Sequence, residues 1–212
     1  AFVDDGFAKR AGDASLAYPG VPDAVSQGWP EKFQLAELAA CPNDSLGAEF
    51  HRLIVDNKSD LEVLDRDALG LRQLRSPLDY LNVRILQCHD LWHIVGGYHT
   101  TALHEVAISA FQLSQFGHNY SAQFLAFITA KAAIKRPEGL VLLLEIILSG
   151  WRHGRRSPQL LGIVLPRLPC TMVRRRTGSC RAASCSSVAS EGGVCRRGNT
   201  TSWLRQKSRL LK

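Results

Sequence analysis

The 212-residue chain has no apolar run long enough to cross a bilayer. The longest, Leu140 to Leu148, is broken by Glu145, and a helical span needs about 20 apolar residues. Only peripheral contact with a membrane is left open. No signal peptide is evident in the sequence, and Asp4 and Asp5 near its start are unlike a basic transit peptide. The first residue is Ala1 rather than Met, as in a processed chain or a fragment. Cysteine is scarce before residue 170, where only Cys41 and Cys88 occur, and no two of the six cysteines stand at CxxC spacing. This is unlike the dense disulfide framework of a small secreted domain and a poor signal for a cysteine zinc site, and a reducing compartment fits. Alternating apolar and polar runs are also missing, which argues against a sheet.

The net charge of +7 is unevenly placed. Residues 170–212 hold ten Lys/Arg against one acidic residue, Glu191, a net of +9. The 169 residues before them hold 16 Lys/Arg and 18 Asp/Glu, a net of −2. The body is near neutral and carries no basic stripe with interleaved aromatics, so nucleic acid is not an expected partner.

What is present reads as helix. Pro42-Asn43-Asp44-Ser45 is a helix start, and Leu46–Val55 carries Phe50, Leu53 and Ile54 on one face. Ser76-Pro77-Leu78-Asp79 is a second entry, with Ser76 as cap, Pro77 in the first turn and Asp79 at the positive helix end. That helix should stop near Gly96-Gly97. Further helices are expected from Thr100 or Thr101 to Phe116, from Ser121 to Lys135, and from Glu138 to His153. The expected fold is all-α, a helical bundle of antiparallel helices with short connections. Residues 1–44 read as a partly irregular N-terminal extension, 45–165 as the helical domain, and 166–212 as a basic Ser/Cys/Arg-rich tail whose composition predicts disorder.

The chemistry gathers at His89-Asp90-Leu91-Trp92-His93 and at Glu105. Two histidines four apart on a helix project from one face, where two imidazoles can share a metal ion. A bare pair at this spacing is more often a core or surface feature. Here Asp90 stands beside the first histidine in an apolar helix, and buried charge is costly unless it is paired or metal-bound. The Gly96-Gly97 break lets the chain return and bring Glu105 to the pair. Asp90 is rotated about 100° from His89 on an ideal helix, so it either ligates or orients an imidazole from behind. The mixed nitrogen and oxygen set suits a divalent metal, with zinc, iron or manganese as candidates. His99, His104 and His118 read as exposed or locally hydrogen-bonded.

Gly150-Trp151-Arg152-His153-Gly154-Arg155-Arg156 closes the last helix. Arg152, Arg155 and Arg156 either complement the helix dipole or hold an anionic ligand. Phe124, Leu125, Phe127, Ile128 and the run from Leu140 to Leu148 exceed a narrow core stripe. They fit a helix inside a bundle or at a dimer interface, or else an apolar ligand channel or membrane-facing surface.

His89-Asp90-Leu91-Trp92-His93, eleven intervening residues and Glu105 resemble the HDxxH…E signature of the ubiquinone biosynthesis protein 4 family. Pro77-Leu78-Asp79-Tyr80 ahead of it, and the Gly150–Arg156 segment and Pro158-Gln159-Leu160-Leu161-Gly162 behind it, extend the resemblance over roughly residues 45–162. The resemblance implies an all-α, often dimeric fold, peripheral to the bacterial inner membrane or the matrix side of the mitochondrial inner membrane. It implies a divalent metal, zinc first, on His89, Asp90, His93 and Glu105. It also implies isoprenoid lipids and other ubiquinone biosynthesis enzymes as partners. The activity implied is removal of the C1 carboxyl group of a prenylated hydroxybenzoate, oxidatively in some accounts. After Gly162 the resemblance stops, and Arg, Ser, Cys and Gly replace the family's Trp-containing segment. A frame-shifted end explains this, with a lipid-binding basic tail as the alternative.

Three functions follow: a metal-dependent decarboxylase of ubiquinone synthesis, a non-catalytic isoprenoid-binding scaffold, and a helical metal phosphohydrolase that uses an HD dipeptide. The last normally needs a separate upstream His and a downstream Asp, and the compact spacing here argues against it.

Overall fold

The computed structural model describes residues 5–62, 65–74, 76–159 and 161. Its described residues form eight α-helices and no strand: α1 Asp5–Leu16, α2 Val21–Ser26, α3 Leu35–Ala39, α4 Leu46–Asn57, α5 Leu78–Gly96, α6 Ala102–Phe116, α7 Asn119–Lys135 and α8 Leu140–Arg156. The all-α expectation is met. The expected disordered tail, with Cys170, Cys180, Cys185 and Cys195, lies outside the described residues.

Local chemistry sets most helix ends. Ser45 caps α4, its hydroxyl accepting from the Ala48 N–H at 3.2 Å. Thr101 caps α6 in the same way through the His104 N–H. The entry to α5 differs from the sequence expectation. Pro77 itself is the N-cap and the helix starts at Leu78, so Ser76 stands one residue too far out to cap. Asp79 does complement that end, accepting from the Tyr80 N–H at 2.7 Å. Gly97, at φ 69°, closes α5 in the left-handed region that glycine enters without strain.

The stretch before residue 45 is more ordered than its Gly- and Pro-rich composition suggests. Val21, Ala24 and Leu38 from α2 and α3 enter the main core with Leu46, Phe50, Leu81, Leu91, Trp92, Ile108, Phe111 and Phe116. Arg66 pins the α4–α5 connection onto this stretch. It is buried, paired with Glu62, and donates to the Pro30 carbonyl at 2.6 Å.

α6 is the hub, buried along nearly its whole length. α8 lies against it and runs the same way, with Gly150 over Ala107 and Gly154 over Phe111 and Ser114. A Cβ at Gly150 would meet the Ala107 carbonyl, and one at Gly154 would meet the Phe111 carbonyl and the Ser114 hydroxyl. These two glycines, one turn apart, let the helices approach closely and fix the register of α8. After α8, Gln159 donates to the carbonyls of Pro19 and Gln115 at 3.0 and 2.8 Å. Leu161 is fully buried, and its carbonyl accepts from Arg84.

Candidate metal centre

His89 and His93 stand one turn apart on α5, their ring centroids 4.9 Å apart. Both present Nε2 to one carboxylate. His89 Nε2 lies 3.4 Å from Oε2 of Glu105, and His93 Nε2 lies 3.2 Å from Oε1. Glu105 reaches them because Thr101 starts α6 four residues earlier, which puts the carboxylate in the first turn, where the helix dipole favours it. His93 and Glu105 are each 3% exposed.

The other ring nitrogens are occupied. Nδ1 of His89 lies 3.2 Å from Oδ1 of Asp90. Nδ1 of His93 lies 3.3 Å from the Tyr98 carbonyl oxygen. With Nδ1 engaged in each ring, both Nε2 atoms are turned toward Glu105, the orientation in which metal-bound imidazoles are usually held. His89, Asp90 and His93 each offer a ligand atom within 4.8 Å of the others. Asp90 therefore stands close enough to ligate, while one of its oxygens orients His89.

The electrostatics favour ionised carboxylates. Burial alone would raise the Glu105 carboxyl, but the facing imidazoles of His89 and His93 overrule it and hold it well below the usual carboxylate range. Burial also works against an ionised Asp90, and the His89 hydrogen bond outweighs it, so Asp90 too is held low. The Nε2 atoms of His89 and His93 on the Glu105 carboxylate, with Asp90 beside His89, are a mixed nitrogen and oxygen set whose chemistry fits a divalent cation.

The remaining sequence candidates fall elsewhere. His104 turns away from the cluster, stacks on His99 with centroids 5.3 Å apart, and accepts from the His99 N–H. Burial, with His99 and His93 nearby, lowers its pKa. His118 is buried between Ser121 and Asn82. Arg152, Arg155 and Arg156 are exposed on the last turns of α8. None of the three pairs with Asp90 or Glu105 among the described residues. Tyr98 carries no sequence expectation and His153 only its place in the Gly150–Arg156 segment, yet their side chains meet at 2.8 Å between Tyr98 OH and His153 Nδ1. The signal was there in part, since Gly96-Gly97-Tyr98 begins only three residues after His93.

A family model described as coenzyme Q (ubiquinone) biosynthesis protein Coq4 matches residues 29–166. It takes in every residue of the cluster and begins well before residue 45. The ubiquinone biosynthesis protein COQ4 homolog, mitochondrial, of Drosophila ananassae is 39% identical over 72 residues, 34% of this chain and 26% of that protein. The match thus spans about a quarter of that relative. A solved structure from Nostoc punctiforme, described as that of a ubiquinone biosynthesis protein, superposes with a TM-score of 0.61. It covers 81% of both chains at 24% identity, and at that identity the likeness shows the fold alone.

Proposed function

The chain belongs to the coenzyme Q (ubiquinone) biosynthesis protein Coq4 family, and from that premise we propose that it is a metal-dependent ubiquinone biosynthesis protein acting on the prenylated benzoate ring. The observation that carries this reading is the Glu105 carboxylate shared between the Nε2 atoms of His89 and His93. Those three residues, with Asp90, would hold the metal, zinc first and iron or manganese as alternatives. When bound, the metal supplies a positive centre for an anionic ring oxygen, a carboxylate or a phenolate.

The chain's own groups do the rest. Asp90 and the Tyr98 carbonyl hold the two imidazoles in orientation through Nδ1. Burial of His93 and Glu105 keeps water from competing and strengthens each charge interaction. The reaction proposed for this setting is decarboxylation at C1, a lyase activity in which the C1–carboxyl bond breaks, CO2 leaves and C1 takes up a proton in its place. In cells lacking their own copy, complementation with His93→Ala or Glu105→Gln is expected to accumulate a prenylated ring that still carries its carboxyl group. Normal quinone levels in both variants would overturn the catalytic role.

A second reading, an isoprenoid-binding scaffold that presents the ring to other ubiquinone biosynthesis enzymes, is favoured by the outer face of α7 and α8. Phe127, Ile134, Val141, Leu144, Leu148 and Trp151 are all exposed there, Ile134 and Val141 by more than 70%. A lipid tail, a membrane surface or a second copy of the chain in a homodimer would cover such a face. No helix among the described residues is long and apolar enough to cross a membrane, so the membrane contact proposed is peripheral. The relative's name carries the word mitochondrial, and the proposed place is the matrix side of the mitochondrial inner membrane, or the bacterial inner membrane.

A further inference from the structure

The Gly150–Arg156 segment supplies no ligand to the candidate metal centre, yet one of its side chains reaches toward it. The path runs through the C-terminal cap of α5. Gly97 takes the left-handed conformation, and the Tyr98 N–H then donates to the His93 carbonyl at 2.9 Å. This is the closing bond of a Schellman turn. The same turn folds the Tyr98 carbonyl back over the His93 ring, 3.3 Å from Nδ1. Tyr98 thus meets His93 through both of its backbone groups.

The Tyr98 side chain is seated independently. Gly96 makes room for it, since a Cβ there would come within 2.8 Å of the Tyr98 ring. Phe111 and His104 meet the ring edge-on, at centroid distances of 6.3 and 5.9 Å. The hydroxyl lies 2.8 Å from Nδ1 of His153. His153 is itself packed against Phe111, at 5.2 Å. Gly150 and Gly154 flank it on α8 and set that helix hard against α6.

We propose that Tyr98 is a positioning residue for His93, with its carbonyl fixing the imidazole through Nδ1, and that His153 holds Tyr98 in that role. The inference rests on the metal reading of the cluster. It assigns to α8 a part in metal binding that no ligand count would show. With the ring pinned at its hydroxyl and packed against Phe111 and His104, the Tyr98 peptide has little freedom. Nδ1 of His93 is then kept as the donor and Nε2 as the inward lone pair. Groups that orient a metal-bound imidazole in this way typically change metal affinity by about 10- to 100-fold when lost.

The test is titration of the metal-free full chain with Co(II), read by the visible absorption of the bound ion and by affinity. Tyr98→Phe keeps the ring and its packing and removes only the hydroxyl. His153→Leu removes the partner. Each is expected to weaken Co(II) binding by roughly tenfold or more and to alter the spectrum. His153→Asn, whose amide falls near the position of Nδ1, is expected to restore both toward the parent values. The inference is overturned if Tyr98→Phe and His153→Leu bind Co(II) as the parent does, with the same spectrum. It is overturned equally if His153→Asn and His153→Leu are weakened alike, since that marks loss of packing. A parent chain that takes up no Co(II) would bring down the metal reading itself, and this inference with it.

Discussion

Oε1 of Glu105 lies 3.2 Å from Nε2 of His93, across the gap between two helices that are joined by only five residues. The contact binds the first turn of α6 to the last turn of α5. Removing the carboxylate charge should therefore do more than remove an orienting group. Glu105→Gln is expected to weaken divalent-metal binding beyond the roughly 10- to 100-fold typical of outer residues. Isothermal titration of the metal-free chain checks it, and an affinity within threefold of the parent would argue against Glu105 as a ligand.

The same pair gives a pH signature in the metal-free protein. The Glu105 carboxyl is held below its ordinary value because the imidazoles of His89 and His93 outweigh the effect of burial. A depressed carboxylate adds stability that is fully present above its unfolded value, about 4.3, and lost as pH falls through the lower folded value. Glu105→Gln lacks that contribution. Urea midpoints of parent and variant should differ most near neutral pH and converge below about pH 4. A gap that stays constant through the acid range would contradict the pairing.

Gly150 has no room for a side chain, because a Cβ would run into the Ala107 carbonyl. Gly150→Val is expected to destabilise the fold by about 1–3 kcal/mol, the usual range for overpacking. Chemical denaturation measures it. Because α8 carries His153, the variant should also bind metal more weakly at temperatures where it remains folded.

Arg66 tests the seam between the α4–α5 connection and the N-terminal stretch. Its guanidinium is 2% exposed and held by Glu62 and the Pro30 carbonyl. Arg66→Ala strands a largely buried Glu62 and should cost about 3 kcal/mol. The loss should be smaller in the double variant with Glu62→Ala, because no unpaired charge is left behind. Urea unfolding of the two single variants and the double gives the coupling.

The two cysteines of the helical body should separate by reactivity. Cys88 is fully enclosed, and burial pushes its thiol up to about 11. Cys41 is half-buried and donates weakly to the Glu37 carbonyl. Alkylation at neutral pH, mapped by peptide mass, should mark Cys41 in the folded chain and Cys88 only after unfolding.

The sequence made α4 to α6 legible because each carries a capping residue or a closing glycine, and α7 and α8 because two long apolar stretches are divided at Pro137. Ser45, Thr101, Gly97 and Gly117 all sit where those signals put a helix end. The return of Glu105 to the histidines was legible for the same reason, since the break at Gly96-Gly97 and the start at Thr101 leave it little choice. α1 and α2 were hidden by Gly, Pro and small residues, and they are helices whose few core contacts come from elements far along the chain. Arg66 was hidden because an isolated charge in a polar stretch reads as exposed. Tyr98 and His153 were hidden because one acts through its backbone carbonyl and the other depends on the register of α8 against α6. That register comes from the space left by Gly150 and Gly154, and no local pattern reports it.

The metal is the point on which the proposed function stands or falls. The most direct measurement is elemental analysis of the purified full chain beside His93→Ala, after dialysis against a weak chelator. The expected result is close to one divalent ion per parent chain, zinc first, and a clear loss in the variant. Equal metal content in the two proteins, or none in the parent after incubation with zinc, iron or manganese, would contradict it.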